Sequence, residues 1–582
     1  MKNFVRLAIA TMVMALVAAL VTSVAAQDLT EDPGEDGGVI ITSTFGSGPD
    51  TFSQIFCTDT ACNEMVGRMY IGLVGVDPEV AQIVPGADGA LAEDWEVSDD
   101  NLVYTFFLRD NLTWSDGTPI TANDVALDWE LINTPEVNHP GAFLLSVIDD
   151  VQVIDDFTLE VTFAGPECTA LLRAGSLNVL PSHVYADFIE EVGFDGLVTL
   201  EWNLAPTVTS GPFSFFESIP GQTTSLLGDD DYEFAPLGFV APFGLVQVVS
   251  ADQTVQVEQL LVGEINVLES PPVNRRDDIR AAPDVQAYEY PGNTWDYVGL
   301  NLADPTNPQP ALDEDGNRID QGLHPIFGDV LVRQALAHAI DVDTMIETAV
   351  FGEGSRMTAH IIPQSWAYNS DLPPREYDVE LAIELLADAG WVLEDDVMTC
   401  RGCLYATEVD ESFEGSPMAF ELLTNSGNTR REAIGQLVQD ELGRLGIEVD
   451  FQTIDFNTLL DVMDGQTFDS FILGWRNGYP DDPNTVQLFG AEADVPGSGF
   501  NFTSFYNEEY FELEQQALTS PGCVLEDRAE LYYQMQEIMQ EEMPYIWLFT
   551  QDGFYAARDE VQGFDPYPAA LWWNVTEWTV QN

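Results

Sequence analysis

The chain has 582 residues, 45% of them hydrophobic and 11% aromatic, which is too apolar for a disordered tail and long enough for more than one core. Against 19 Lys and Arg stand 99 Asp and Glu, for a formal charge of −80. So acidic a surface repels phosphate backbones and anionic lipid, which argues against nucleic acid and membrane surfaces as partners.

At the start of the chain, Lys2 and Arg6 precede an almost continuous apolar run from Leu7 to Val21, and Val24-Ala25-Ala26 supplies small residues before Gln27. This pattern predicts an export signal over residues 1–26 and a protein of the periplasm or cell surface. It is either soluble after cleavage or held by an uncleaved N-terminal anchor. The first Cys is Cys57, so no lipid-modified start is expected. Lys2 is the only lysine, and beyond residue 26 stand 17 Arg against 99 acids, a net −82. That balance fits a surface kept monodisperse by charge, or one suited to high salt, where screening removes the self-repulsion.

Val39 to Thr44 and Val103 to Leu108 read as β-branched strands, and Thr121-Ala-Asn-Asp124 as a capping box opening a helix through Trp129. Val151 to Phe163 alternates on both sides of Asp155-Asp156, a hairpin signal. Asp304 to His324, rich in Pro, Asp, Asn and Gly, reads as a surface loop or boundary. Helices follow from Asp329 to about Ile340, from Asp378 to Gly390, and from Thr429 to Leu445. Gly446 then stops the chain before the alternating strand Ile447 to Phe451. That helix–Gly–strand step is an α/β unit. Leu525 to Met539 is the last long helix, with Leu531, Met535 and Ile538 expected inward.

Six cysteines in an exported chain predict disulfides, with local pairs Cys57–Cys62 and Cys400–Cys403 leaving Cys168 for Cys523. A zinc site from the two close spacings is the alternative. The chain carries no glycine-rich nucleotide loop, no GxSxG and no HExxH, and its five His are scattered. No cofactor, no metal and no catalytic residue are expected.

Several runs together resemble one family, the large extracytoplasmic solute-binding proteins of peptide-type ABC importers. Met69-Tyr-Ile-Gly-Leu-Val74 resembles its YEGLV start, and Leu91-Ala-Glu-Asp-Trp-Glu-Val-Ser-Asp-Asp100 a following Trp-centred stretch. Tyr104-Thr-Phe-Phe-Leu-Arg109 with Trp114-Ser-Asp-Gly-Thr-Pro-Ile-Thr-Ala-Asn-Asp-Val125 is the most specific run. Ser210-Gly-Pro-Phe213, Val332-Arg-Gln-Ala-Leu-Ala-His-Ala-Ile-Asp341, Asp388-Ala-Gly-Trp391 and Gly474-Trp475 follow in the family's order.

The resemblance implies an α/β, two-lobe periplasmic-binding-protein-like fold with a hinge and an extra β-rich subdomain in the N-terminal half. Residues 38–75, 205–300 and 545–582 would form lobe I, 76–204 the β-rich subdomain beside it, and 301–544 lobe II. It implies a monomeric binding protein, not an enzyme. Such a protein closes over a small organic solute, with an oligopeptide the first choice, and delivers it to a membrane permease. An oligosaccharide or another non-peptide solute is the alternative. From a different class, a secreted acidic hydrolase such as a glycosidase would need two carboxylates at a fixed separation in a cleft.

In the family's peptide binders an Asp three residues after the motif Trp holds the ligand's α-ammonium group. Here that position is Gly478, which has no carboxylate; Asp481 or Asp482, just after Tyr479 and Pro480, would have to replace it, or serve as turn residues before Pro483. Trp475 is expected as an aromatic wall and Arg476 as a receiver for an anionic ligand group, or as core and surface residues respectively. Tyr479, Trp295, Tyr297, Phe45 and Tyr70 complete the candidate ligand-binding set.

Overall fold

Strands dominate wherever apolar and β-branched residues alternate, and three larger sheets result. The computed structural model describes residues 37–46, 48–79, 81–142, 145–229, 232–234, 242–250, 252–478, 481 and 483–581. The predicted signal over residues 1–26, Tyr479 and Asp482 lie outside them.

In the first sheet, Val39–Phe45 runs parallel to Gly244–Ser250, which continues antiparallel through Thr223–Gly228 to Phe213–Ile219. The second is antiparallel throughout, in the order Ala92–Val97, Val103–Leu108, Thr158–Phe163, Ile148–Asp155. Helix Ala122–Ile132 opens as its capping box predicts: the Asp124 carboxylate accepts from the Thr121 backbone N–H at 2.7 Å. These sheets share one core, to which Ile40, Phe106, Trp114, Val161, Phe213 and Leu245 belong.

The third sheet has seven strands and is built on two long ones, with the short Gly354–Arg356 paired on the second of these at residues 549–551. Val285–Leu300 and Tyr545–Arg558 pair antiparallel, flanked by Val267–Glu269 on one side and by Ser470–Arg476, Ala419–Asn425 and Glu448–Ile454 on the other. Ala419–Asn425 and Glu448–Ile454 are parallel, joined by helix Thr429–Arg444 as the α/β unit requires. The long strands begin and end in different cores. Tyr290 and Tyr555 belong to the first core; Trp295, Tyr297, Tyr545 and Trp547 belong to a second, with Leu336, Leu422, Phe471 and Tyr532. Each long strand therefore passes from one lobe to the other, and the pairing register shifts between Tyr290 and Thr294 where they cross. Gly292 sits in this shift because a Cβ there would collide with the Gln551 carbonyl oxygen.

Helix Leu525–Glu542 turns a slightly different face inward than its apolar spacing suggests. Tyr532, Met535, Gln536 and Met539 are buried, while Leu531 and Ile538 stay at the edge, because the long Tyr and Met side chains fill the space under Trp366 and the crossing strands. All six cysteines are paired, as Cys57–Cys62, Cys168–Cys523 and Cys400–Cys403. Paired sulfurs offer no thiolate, which removes the zinc alternative. Among the described residues no group of His, Cys, Asp and Glu could hold a metal ion, and no helix is long and apolar enough to cross a membrane.

Candidate functional site

Where the long strands pass between lobes, polar side chains from both lobes converge. Asp296, fully buried on Val285–Leu300, holds two arginines from the first turn of helix Thr429–Arg444. Its Oδ2 accepts from Arg430 Nε at 2.6 Å and its Oδ1 from Arg431 Nε at 3.3 Å. Arg430 also donates to Gln551 on the other crossing strand, and Arg431 to Asn425 Oδ1 at 2.9 Å. The turn exists because Asn428 caps the helix, its Oδ1 accepting from the Arg431 backbone N–H. Two guanidinium groups against one carboxylate leave an excess positive charge, and the helix N-terminus adds to it. Burial lowers the Arg431 pKa, while Asp296 opposes that shift.

A cavity of about 160 Å³ opens beside this group, lined by Gln253, Ser270, Asn274, Phe351, Arg430 and Gln551. Its walls come from both lobes. That volume resembles cavities of about 150 Å³ that hold a benzene ring, so it accommodates a group of side-chain size.

A second cluster lies directly across the strand Val285–Leu300. Arg476 and Gln551 are both registered against Thr294, from opposite sides. Arg476 Nη2 reaches over to Glu269 Oε1 at 3.1 Å, one residue before the cavity-lining Ser270, so this ion pair also joins the lobes. The Arg476 side chain keeps 40% exposure although four ionisable groups surround it, which places it on an open seam between walls. Burial works against its charge, but Glu269, Tyr290, Tyr555 and Glu64 outweigh that and hold its pKa above the usual arginine value. Burial and then the Glu269 charge push Glu64 up to about 7, against the pull of Arg68 and Arg476. Arg68 lies over the Trp572 ring, 4.1 Å from its centroid, and the Tyr290 hydroxyl donates to that of Tyr555 at 2.7 Å.

The candidates named from the sequence fall into three groups. Trp475 and Arg476, the last two residues of strand Ser470–Arg476, lie together with Asp481, which follows it. Asn477 joins them, accepting from Trp295 Nε1 at 3.0 Å and donating to Asp481 Oδ1 at 2.9 Å. Trp475 is half-buried, stacked between Tyr297 and Phe502 at centroid distances of 6.4 and 6.2 Å. Trp295 and Tyr297 come to the same place but lie beneath it, 1% and 0% exposed. Tyr297 stacks on Tyr545 at 3.9 Å, so both rings are covered on their faces and serve as the floor under Trp475 instead of offering a stacking surface.

Tyr70 is not part of this seam. Its hydroxyl is buried near Tyr185 in the interior of the first lobe, and its pKa rises well above 10 for that reason. Phe45 is half-buried at the end of its strand, beside Ser250. Gly478 is exposed and bears no charge. Asp296, Arg430, Gln551, Glu269 and Glu64 were missed. One signal for them was present: Arg430-Arg431 is one of only two adjacent Arg pairs in a chain poor in Arg, and it follows a helix cap.

Comparison with known proteins agrees with this architecture. Residues 87–497 match the family described as bacterial extracellular solute-binding proteins, family 5 Middle. The oligopeptide-binding protein AppA of Bacillus subtilis is 24% identical over 566 residues, covering 94% of this chain and 92% of that protein. The dipeptide-binding protein of Escherichia coli is 26% identical over 540 residues, covering 89% and 90%. The solved structure of Bacillus subtilis AppA in complex with a nonapeptide superposes with a TM-score of 0.79 at 23% identity, covering 94% of this chain and 99% of that one. With its two lobes, its crossing strands and a match over well more than half its length, the chain belongs to the bacterial extracellular solute-binding proteins of family 5, which bind solutes and are not enzymes.

Proposed function

We propose that this protein is the extracytoplasmic substrate-binding component of an ABC importer and that its ligand is a short peptide. The observation that carries the ligand class is the charge layout of the seam. Arg430 and Arg431 outnumber the one buried carboxylate beside the cavity, while across the strand Glu269 faces Arg476, and Glu64 is drawn on by both Arg68 and Arg476. A zwitterion fits that layout. Its carboxylate goes to Arg430 and the helix N-terminus, and its ammonium group goes to Glu269 or Asp481, in place of the carboxylate that Gly478 lacks. Trp475 and Arg476 then contact the ligand's body. The names of relatives that bind oligopeptides and dipeptides support the same class. A sugar would need uncovered aromatic faces, and Trp295 and Tyr297 offer none.

Binding would proceed by hinge closure. Residues 38–75, 205–300 and 545–582, with 76–204 beside them, would move as one body against 301–544, except that the strand ends 294–300 and 545–551, which lie in the second core, would travel with 301–544, so that the bend falls where the strands cross at Gly292. A ligand held by both bodies favours the closed form by its differential affinity for it. The closed, monomeric complex would then dock on a membrane permease. The chain would reach the extracytoplasmic space by cleavage after Ala26.

The test is to purify residues 27–582 natively, denature the protein and identify the released small molecules by mass spectrometry. Calorimetry then compares trialanine with its N-acetyl and C-amide derivatives. Short peptides in the eluate, and weaker binding of both derivatives, are expected. A sugar or another single metabolite in the eluate, with no trialanine binding, would overturn the peptide reading.

A further inference from the structure

Two backbone crossings join the lobes, and a disulfide makes a third covalent connection on elements that are not the crossing strands. Cys168 follows strand Thr158–Phe163 and precedes helix Ala170–Gly175, whose Ala170 and Ala174 belong to the first core. Cys523 follows helix Glu508–Leu518, whose Tyr510, Leu513 and Ala517 belong to the second core, and precedes helix Leu525–Glu542 in that same core. Their Cα atoms are 5.3 Å apart across a sequence separation of 355 residues. The other two disulfides span separations of 5 and 3 residues and stay within one lobe.

The contact around the bond is built on both sides. The Cys168 backbone N–H donates to the Leu518 carbonyl at 2.7 Å, and burial pushes Glu514 on the second-lobe helix up to about 7, a shift that the charge of Arg173 on the first-lobe helix opposes. Glu167 and Thr169, flanking Cys168, are buried and hydrogen-bonded to each other at 2.5 Å, so this anchor is fixed to its lobe.

We propose that Cys168–Cys523 is an inter-lobe tether that limits how far the cleft opens. Two rigid bodies that share a hinge line rotate freely about it; a bond between them away from that line removes the rotation, except for the slack in the flanking loops. Here the slack is the short stretch Thr519–Val524, since Cys168 is held on both sides. The ligand-free protein therefore stays near the lobe spacing that the bond fixes in this structure. Solute reaches the cavity through a narrow opening, and the cost of ordering the lobes is met when the bond forms, before any ligand binds.

Small-angle X-ray scattering of ligand-free protein tests this without any ligand, so the result is separate from the peptide reading. The unmutated protein is expected to match the scattering calculated from this structure. Cys168→Ser combined with Cys523→Ser is expected to raise the radius of gyration and the maximum dimension. A second variant keeps the bond but lengthens both arms of its anchor, by inserting Gly-Ser-Gly-Ser between Pro521 and Gly522 and again between Val524 and Leu525. It should open likewise while peptide mapping still finds Cys168 joined to Cys523. An open profile for the unmutated protein would overturn the tether. Unchanged scattering in the insertion variant would do the same, whether or not the double Ser variant folds.

Discussion

Asp296 is the residue whose removal should test this account of the hinge most severely. It is fully buried, and both of its partners are nearly so, with 14% and 12% of the Arg430 and Arg431 side chains exposed. Asp296→Asn keeps the shape and one acceptor but leaves two guanidinium groups side by side without a counter-charge. At about 4 Å and an effective dielectric near 20, each charge pair is worth about 4 kcal/mol before desolvation. Breaking a buried pair by deleting one partner costs about 3–5 kcal/mol. We expect a loss in that range, measured by denaturant unfolding with two probes to establish whether the lobes unfold together. Adding Arg430→Gln to Asp296→Asn should return part of the loss, since one of the two stranded cations is then gone. Raising the salt should not rescue the single variant, because screening reaches buried charges poorly. A cost below about 1 kcal/mol for Asp296→Asn, or full rescue by salt, would refute the reasoning and mean that water enters the seam and solvates these charges.

Three further outcomes follow from the same geometry. Arg430→Gln leaves Arg431 on Asp296, so the protein should stay folded. Loss of one charge-assisted hydrogen bond, about 1.5–3 kcal/mol, should weaken trialanine binding roughly 10- to 150-fold and abolish its preference over the C-amide, as read by calorimetry. Asp494, buried against the pull of hydrogen bonds from Gln321, Gln466 and Ser504, is raised to about 6. An unfolded Asp releases its proton near 4. Between about pH 4 and 6 the folded state thus holds a proton that the unfolded one has lost, and this group's contribution to stability falls as pH rises through that window. Thermal unfolding across that range should show the decline, and Asp494→Asn should flatten it. Trp475→Ala should cost about 3 kcal/mol by removing the ring between Tyr297 and Phe502, with Trp475→Phe restoring most of it. Unchanged stability in Trp475→Ala would assign the ring to the ligand alone.

Much of this protein was legible along the chain because the responsible physics is local. The caps at Thr121 and Asp378 and the alternation of Val151 to Phe163 each depend on residues a few positions apart, and the helices and strands form where they predict. The ordered run of motifs from Met69 to Trp475 identified the family by itself. The same run exposed the departure at Gly478, where a carboxylate is absent. Even the pairing of Cys168 with Cys523 came by elimination, once the two close pairs were set aside.

What the chain could not disclose is which of its 99 acids matter, since an isolated Asp or Glu carries no mark of its surroundings. Asp296 becomes distinctive only when folding buries it and brings Arg430 from 134 residues away. Glu269 acquires its role from Arg476, 207 residues further on. Trp295 and Tyr297, chosen as stacking surfaces, turn out to be covered, because whether an aromatic on a strand faces a cleft or a core depends on what packs over it. Family, fold class and local elements are thus written along the chain. Only the tertiary structure decided which charges share the seam, and that a disulfide bridges it, because desolvation and proximity arise from packing between segments hundreds of residues apart.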